Sequence, residues 1–432
     1  MTDTLLKRVI KIIPEDWERV KIGDIGSTYG GLTNKSKKDF GEGKPYIPFM
    51  NIMNNAKIDL DYFDYVNIQE GENQNRALEG DLFFNTSSET PEEVGMCAVL
   101  DKNILELYLN SFCFGFRLKD QDSLNPLFVS YFFRSDFGRK VMFPLAQGMT
   151  RYNLSKRYFL QLEIPKPKIE EQNKIIDILS TVDEAIEKTD AIIEETRQLK
   201  KGLIQKLFTE GIGHIRFKET KIGRIPEEWD INKLKNFGEF LRGKNINKSE
   251  ITESGFPCVR YGDIYVQYEF ANTVTHFSAF IGKETADNGQ RIKYGDIIFA
   301  GTGETQEDIG KCVAYVRDDE AYAGGDLFLF RPNNGISFNA EFLSYCLNSG
   351  EVGRLKSRLG QGLSIFHIYP SHLQTLEVPL PTIEEQNQIV KILSEVDAKI
   401  EKEEATKAEL EQLKKGLMQV LLTGKVRVKV EA

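Results

Sequence analysis

An α+β protein is what the sequence predicts, with two pseudo-symmetric globular domains separated by two long antiparallel helices that form a coiled coil. Three observations carry this. Pro165-Lys-Pro-Lys-Ile-Glu-Glu-Gln172 returns as Pro379-Leu-Pro-Thr-Ile-Glu-Glu-Gln386, and the match runs without a gap, at an offset of 214, through Leu199-Lys-Lys-Gly202 and Leu413-Lys-Lys-Gly416. Ile13-Pro-Glu-Asp-Trp17 matches Ile225-Pro-Glu-Glu-Trp229 at an offset of 212. Between these anchors only isolated pairs survive: Pro45 with Pro257, Gly80-Asp81 with Gly295-Asp296, Phe116-Arg117 with Phe330-Arg331, and Gln147-Gly148 with Gln361-Gly362. Near-identical stretches alternating with divergent ones mark a tandem duplication with two equivalent working ends and differently tuned surfaces. The expected division is a globular domain over 1–163, a helix over 164–213, a second domain over 214–377 and a second helix over 378–432.

The helices follow from periodicity. Ile175, Leu179, Val182, Ile186, Thr189, Ile193 and Thr196 advance by alternating steps of four and three, a heptad seam. The second copy reads Ile389, Leu393, Val396, Ile400, Glu403, Lys407 and Leu410, so a charge enters the seam and needs a partner. Each helix opens on proline followed by paired glutamates, which complement the helix dipole. Thr382 and Glu385 have capping-box spacing, which Lys168 denies the first copy. From Ile169 to Leu207 are 39 residues, or about 58 Å of helix at 1.5 Å per residue. Matched registers in one chain favour pairing within the molecule, with the domains at opposite ends of a rod; a dimerising coiled coil is the alternative. Ile178, Val182 and Leu199, repeated as Ile392, Val396 and Leu413, make an apolar strip wider than one seam requires. Gly202 and Gly416, inside helical patterns, predict close approach of another backbone.

Apolar residues make up 41% of the chain, enough for ordinary cores. Cys97, Cys113, Cys258, Cys312 and Cys346 are odd in number and lie in apolar stretches without a C-x-x-C pair, so they read as reduced core residues. No apolar run approaches the roughly 20 residues that cross a bilayer, and Met1-Thr-Asp-Thr lacks a signal-peptide pattern, so a cytoplasmic protein is expected. The net charge of −9 is concentrated: residues 169–210 carry −4 and residues 383–424 carry −3, leaving −2 for the rest. The divergent halves are therefore near neutral. They hold basic clusters: Lys35, Lys37 and Lys38; Arg151, Lys156 and Arg157; Arg242, Lys244 and Lys248; Arg354, Lys356 and Arg358. Phosphate binding needs local positive charge, although solvated faces carry such clusters too.

Taken together, the I-P-x-x-W opening, the Gly-Asp strand, the Gln-Gly segment leading to Leu162-Glu-Ile-Pro-Lys-Pro167 or Leu376-Glu-Val-Pro-Leu-Pro381, the Glu-Glu-Gln helix start and the Leu-Lys-Lys-Gly-Leu exit resemble the specificity subunit of type I restriction-modification systems. Two ordered copies of all of them cover almost the whole chain. The resemblance implies two target-recognition domains that bind a bipartite double-stranded DNA sequence around a spacer of unspecified bases. It also implies a subunit without catalysis or cofactor of its own, assembled with two methyltransferase subunits that use S-adenosylmethionine and dock on the helices, and with ATP-dependent restriction subunits.

The residues agree on the missing chemistry. Asn125-Pro-Leu-Phe128 lacks the second proline of an amino-methyltransferase motif, and its match Asn339-Ala-Glu-Phe342 marks both as helix starts with Asn as N-cap. Gly301-Thr-Gly303 lacks the rest of a phosphate loop, and His214, His276, His367 and His372 have no zinc-binding spacing. For base reading, the polar loops after the Gly-Asp strands come first: Asn85, Thr86 and Ser87 in Asn85-Thr-Ser-Ser88, and Thr302 and Glu304 in Gly301-Thr-Gly-Glu304. Second are Arg151, Tyr152 and Asn153 in Thr150-Arg-Tyr-Asn153, and Ser364 and His367 in Ser364-Ile-Phe-His367. The basic clusters would touch phosphates, which position a domain without specifying sequence.

Two other readings differ in what they predict. A two-headed protein-binding scaffold would show no salt-dependent duplex affinity, and a cryptic enzyme would crosslink to a cofactor. Under the favoured reading, inserting one helical turn of four residues, about 6 Å, lengthens the tolerated DNA spacer by about two base pairs at 3.4 Å each. Both half-sites stay unchanged. Sequencing the methylated sites checks this; altered half-site bases would overturn the spacer role.

Overall fold

The computed structural model describes residues 13–244, 246–268, 271–333 and 337–429, so the Met1-Thr-Asp-Thr start lies outside them. The chain forms two compact units. The described residues up to Asp190, together with those from Ala405 onward, make the first, and Ala191–Glu404 makes the second.

The first unit is built on a four-stranded antiparallel sheet in the order Gly26–Gly30, Cys113–Leu118, Leu82–Asn85, Cys97–Val99. The helix Pro126–Arg134 buries Phe128, Val129, Tyr131, Phe132 and Phe133. Phe84, Phe114, Phe116 and Phe133 pack around Phe159, with ring centroids 4.8–5.9 Å from it. A second, three-stranded sheet pairs Phe40–Ile47 with Asp64–Val66 and Tyr108–Leu109. The second unit repeats the four-stranded order with Gly238–Arg242, Leu327–Pro332, Ile297–Ala300 and Cys312–Ala314. Its other large sheet has five strands, so the copies diverge there.

Isolated sequence matches turn out to be contacts. Arg117 grips the buried Asp81 with two hydrogen bonds, 2.7 and 2.6 Å, and Arg331 grips the buried Asp296 at 2.9 and 2.6 Å. An unpaired buried carboxylate is costly, so the Gly-Asp and Phe-Arg strings persist together.

The first long helix is Ile169–Glu210 and the second is Ile383–Leu421. Within each unit the two run antiparallel. In the first unit Lys414 pairs with Asp183, and Lys407 with Asp190 at 2.7 Å. In the second, Lys200 meets Asp397 at 2.5 Å and Arg197 meets Glu404 at 2.6 Å. Lys407, the charge anticipated in the seam, has thus found its acid. The seam residues Ile175, Leu179, Val182, Thr189, Ile193, Thr196, Ile389, Leu393 and Ile400 are buried. The two seam threonines return their hydroxyls to carbonyls one turn back, at 2.8 and 2.6 Å.

Three expectations change. A Cβ added at Gly202 or Gly416 would meet nothing within 4 Å, so no backbone approaches either glycine. Ile178 and Ile392 pack on their own unit's core, whereas Leu199 and Leu413 are 56% and 50% exposed, so the wider strip serves two surfaces. Thr382 Oγ1 accepts from Glu385 N at 3.3 Å, but the Glu385 carboxylate turns to Trp229 and His214, leaving only half of the capping box.

The strongest repeated strings bind one another. Trp17 Nε1 donates to Glu171 at 3.1 Å, and Trp229 Nε1 to Glu385 at 2.9 Å. Gln172 accepts from Asn125 N and donates to Pro167 O, both at 2.8 Å; Gln386 does the same with Asn339 N and Pro381 O at 2.8 and 2.9 Å. Asn125 and Asn339 cap their helices as expected. Each clamp is closed by a basic side chain just past a long helix. Arg427 binds Glu171 at 2.7 and 2.9 Å and Asp16 at 2.8 Å; His214 binds Glu385 and Glu228 at 3.0 Å. The turns leading there are Gly424, φ +69°, and Gly211, φ +63°, where a side chain would be strained and would meet the clamp tryptophan at 3.2 and 2.9 Å.

Candidate nucleic-acid interface

Each unit brings its two predicted reading loops into one small sheet. In the first, Ser87–Ser88 pairs antiparallel with Tyr152–Leu154, which pairs with Ala146–Gln147. In the second, Thr302–Gly303 pairs with Phe366–His367, which pairs with Gln361–Gly362. Segments more than 60 residues apart in sequence thus become one surface, at matched places in both copies.

On the first sheet, Arg151 and Asn153 are exposed, Tyr152 and Thr86 are partly buried, and the Arg151 guanidinium lies 5.5 Å from the centre of the half-exposed Phe112 ring. Thr86 donates to Phe112 O at 2.7 Å, fixing the aromatic beside the hairpin. The next turn, Lys156–Phe159, presents exposed Lys156 and Arg157, with Lys156 Nζ 5.3 Å from the Phe114 ring centre. An exposed cation, an exposed ring and short polar groups suit phosphate and base contacts. On the second sheet, Ser364, His367 and Glu304 are exposed and Thr302 is partly buried. The Thr302 carbonyl accepts from Tyr265 at 2.8 Å, which anchors that loop.

Four sequence candidates are corrected. Asn85 is fully buried, donating to Ser87 O and Glu93 O and accepting from Met96 N at 2.7 Å, so it shapes the loop from beneath. Ser87 is buried as well. Lys356 is 3% exposed, donates to Gly310 O at 2.8 Å, and burial lowers its pKa, so it cannot reach a phosphate. Lys35 is held by Glu72 at 2.6 Å with its side chain 5% exposed. Arg354 is exposed but doubly bonded to Glu351. Lys37, Lys38, Arg242, Lys244, Lys248 and Arg358 are exposed. Of the basic clusters, only Arg151 lies within a hairpin, in the turn before Tyr152–Leu154, with Lys156 and Arg157 shortly after that strand; the others lie on separate elements.

The clamp residues His214 and Arg427 are ones that sequence reasoning missed. The available signal was a glycine three residues earlier in each case, matched at an offset of 213. Among the described residues no cluster of His, Cys, Asp or Glu could hold a metal ion, and no helix is long and apolar enough to cross a membrane. The five cysteines are free and buried.

Known proteins share the duplicated organisation of this chain. The profile of the type I restriction modification DNA specificity domain matches twice, over residues 14–197 and 226–412. The putative type I restriction enzyme MjaX specificity subunit of Methanocaldococcus jannaschii is 30% identical over 98% of this chain and 96% of its own. The MjaVIII specificity subunit of the same organism is 28% identical over 96% and 94%. The S subunit from M. genitalium shares the fold at a TM-score of 0.54 and 18% identity, covering 97% of each chain. A chain from a solved type I R-M system does so at 0.57 and 17%, covering 96% of this chain and 99% of that one. A duplicated chain whose repeated strings form the clamps, and whose both halves match the same profile, belongs to the type I restriction modification DNA specificity family.

Proposed function

We propose that this chain reads DNA for a type I restriction-modification complex without catalysing any step. Each unit reads one half of a bipartite duplex target, the long helices set the spacer, and two methyltransferase subunits dock on those helices. Restriction subunits complete the assembly. S-adenosylmethionine and ATP belong to the partners, and this chain holds no cofactor.

The observation that carries the reading is the convergence of both predicted reading loops on one hairpin sheet in each unit, with matched geometry and unlike side chains. Arg151, Tyr152 and Asn153 stand where the second copy has Ile365, Phe366 and His367, as two different half-sites require. Leu199 beside the open Gly202, and Leu413 beside the open Gly416, give each long helix one matched apolar spot that its own unit leaves uncovered. Two copies of one spot fit two copies of one partner.

Two measurements test this. Deleting the chain from its host should remove adenine methylation from one bipartite sequence in the methylome. Duplex affinity of the chain with its methyltransferase partners should fall with salt, at a logarithmic slope of about −0.9 per neutralised phosphate. An unchanged methylome, a flat salt dependence, or methyl transfer by the isolated chain would overturn the proposal.

A further inference from the structure

Each hairpin sheet ends in an apolar side chain that the fold leaves in solvent. Met149, between Ala146–Gln147 and Tyr152–Leu154, is 90% exposed. Leu363, between Gln361–Gly362 and Phe366–His367, is 99% exposed. They occupy matched positions, 214 apart, within matched turns. The residue before each is a glycine in a conformation that side chains avoid: Gly148 has φ +143° and Gly362 φ +149°, and an added Cβ would lie 2.0 Å from the carbonyl of Arg151 or Ile365. Only glycine fits that place in either turn, and the turn it permits leaves the next residue, the apolar one, in solvent.

A single exposed apolar residue on a surface needs no explanation. Here the position repeats in two copies whose flanking residues have diverged, and it sits on the sheet that gathers the base-reading loops. A methionine and a leucine are compact, uncharged and unable to hydrogen-bond, so they add nothing to phosphate contact or to the reading of polar base edges. Apolar side chains have two places to go on a duplex, the thymine methyls of the major groove and the faces of the stacked bases, and a residue standing clear of its own sheet at the tip of a hairpin suits the second.

We propose that Met149 and Leu363 are wedges that enter the base stack, each opening one step within its own half-site. This rests on the reading of the units as DNA binders. The wedge lowers the cost of distorting the target, which a partner acting on an adenine must meet, because a base is modified only after it leaves the stack. It also adds sequence preference without hydrogen bonds, since pyrimidine–purine steps open more readily than others.

The test uses the full chain with its methyltransferase partners and the duplex identified by methylome sequencing, carrying 2-aminopurine at successive positions of each half-site. Binding should raise 2-aminopurine fluorescence several-fold at one step in each half. Leu363→Ser should abolish the rise in one half-site only, and Met149→Ser in the other only. Both should bind about tenfold more weakly with an unchanged salt slope, because no phosphate contact is lost. Leu363→Met should retain the signal. Both positions are solvent-exposed, so circular dichroism and thermal melting of the serine variants should match the parent. If the parent binds its target with a normal salt slope and the rise is absent, or persists in the serine variants, the wedge is wrong while the DNA reading stands. If the serine variants instead lose the methyltransferase subunit on gel filtration, the tips are protein contacts and the wedge is again overturned. If no duplex binds with a salt-dependent affinity, the DNA reading fails and the wedge with it.

Discussion

Glu385→Ala is expected to lower the unfolding free energy of the second unit by about 2 kcal/mol, the scale for taking a charged acceptor away from donors at a partly buried site. The carboxylate accepts from Trp229 Nε1, His214 Nε2 and Ile212 N, so alanine leaves three donors without it. Glu171→Ala should cost the first unit somewhat less, since Arg427 keeps Asp16. The chain has two tryptophans, one in each clamp, so urea unfolding followed by fluorescence in a Trp17→Phe or Trp229→Phe background reports each unit separately. A change below about 1 kcal/mol would show that the clamps hold nothing together. The copies should also differ in pH response. Burial disfavours the His214 cation, but hydrogen bonds and charge from Glu385 and Glu228 outweigh it and raise its pKa above 6.5; Arg216, 3.7 Å from Glu228, is the other charge nearby. A raised pKa means the contribution is whole below 6.5 and is lost as pH climbs through the folded value. The Arg427 clamp does not titrate in that range. The second unit should therefore weaken towards alkaline pH while the first does not, and His214→Arg should remove the difference.

Asn85→Ala and Lys356→Ala should destabilise their units by about 2 kcal/mol or more, through lost hydrogen bonds to buried partners, and leave recognition alone. Asn85 ties Ser87, Glu93 and Met96 together, and Lys356 holds the carbonyl of Gly310. Neither side chain reaches solvent to any useful extent. The salt slope and the methylated sequence should match the parent protein for both. In contrast, Arg157→Ala and Arg358→Ala, which alter exposed cations, should each reduce the slope by about 0.9 if they touch one phosphate. A changed methylation sequence in Asn85→Ala would restore it as a base reader.

Periodic and repeated features were legible because they are local or self-announcing. The seam, the antiparallel pairing, the Asn125 and Asn339 caps and the need of the seam charge for a partner all follow from spacing within one segment or from comparing the copies, whereas Asp190 as the partner of Lys407 does not. Burial of individual polar residues was not legible, because it is decided by residues far away. Asn85 looks like an exposed loop residue until Glu93 and Met96 fold over it, and Lys356 looks like one of three surface cations until Gly310 arrives from 46 positions upstream. Gly202 and Gly416 misled in the other direction: a glycine in a helix permits close approach without requiring it. The candidate loops do follow their strands, Leu82–Asn85 and Ile297–Ala300, yet their union in a hairpin sheet depends on non-local pairing that no single window contains.

The tryptophan–glutamate and glutamine–asparagine clamps are the same fittings in both copies, and they sit where each globular portion meets the helices. Such interchangeable joints let a gene trade one reader for a foreign one by recombining within the common strings, with no retailoring of the frame that receives it.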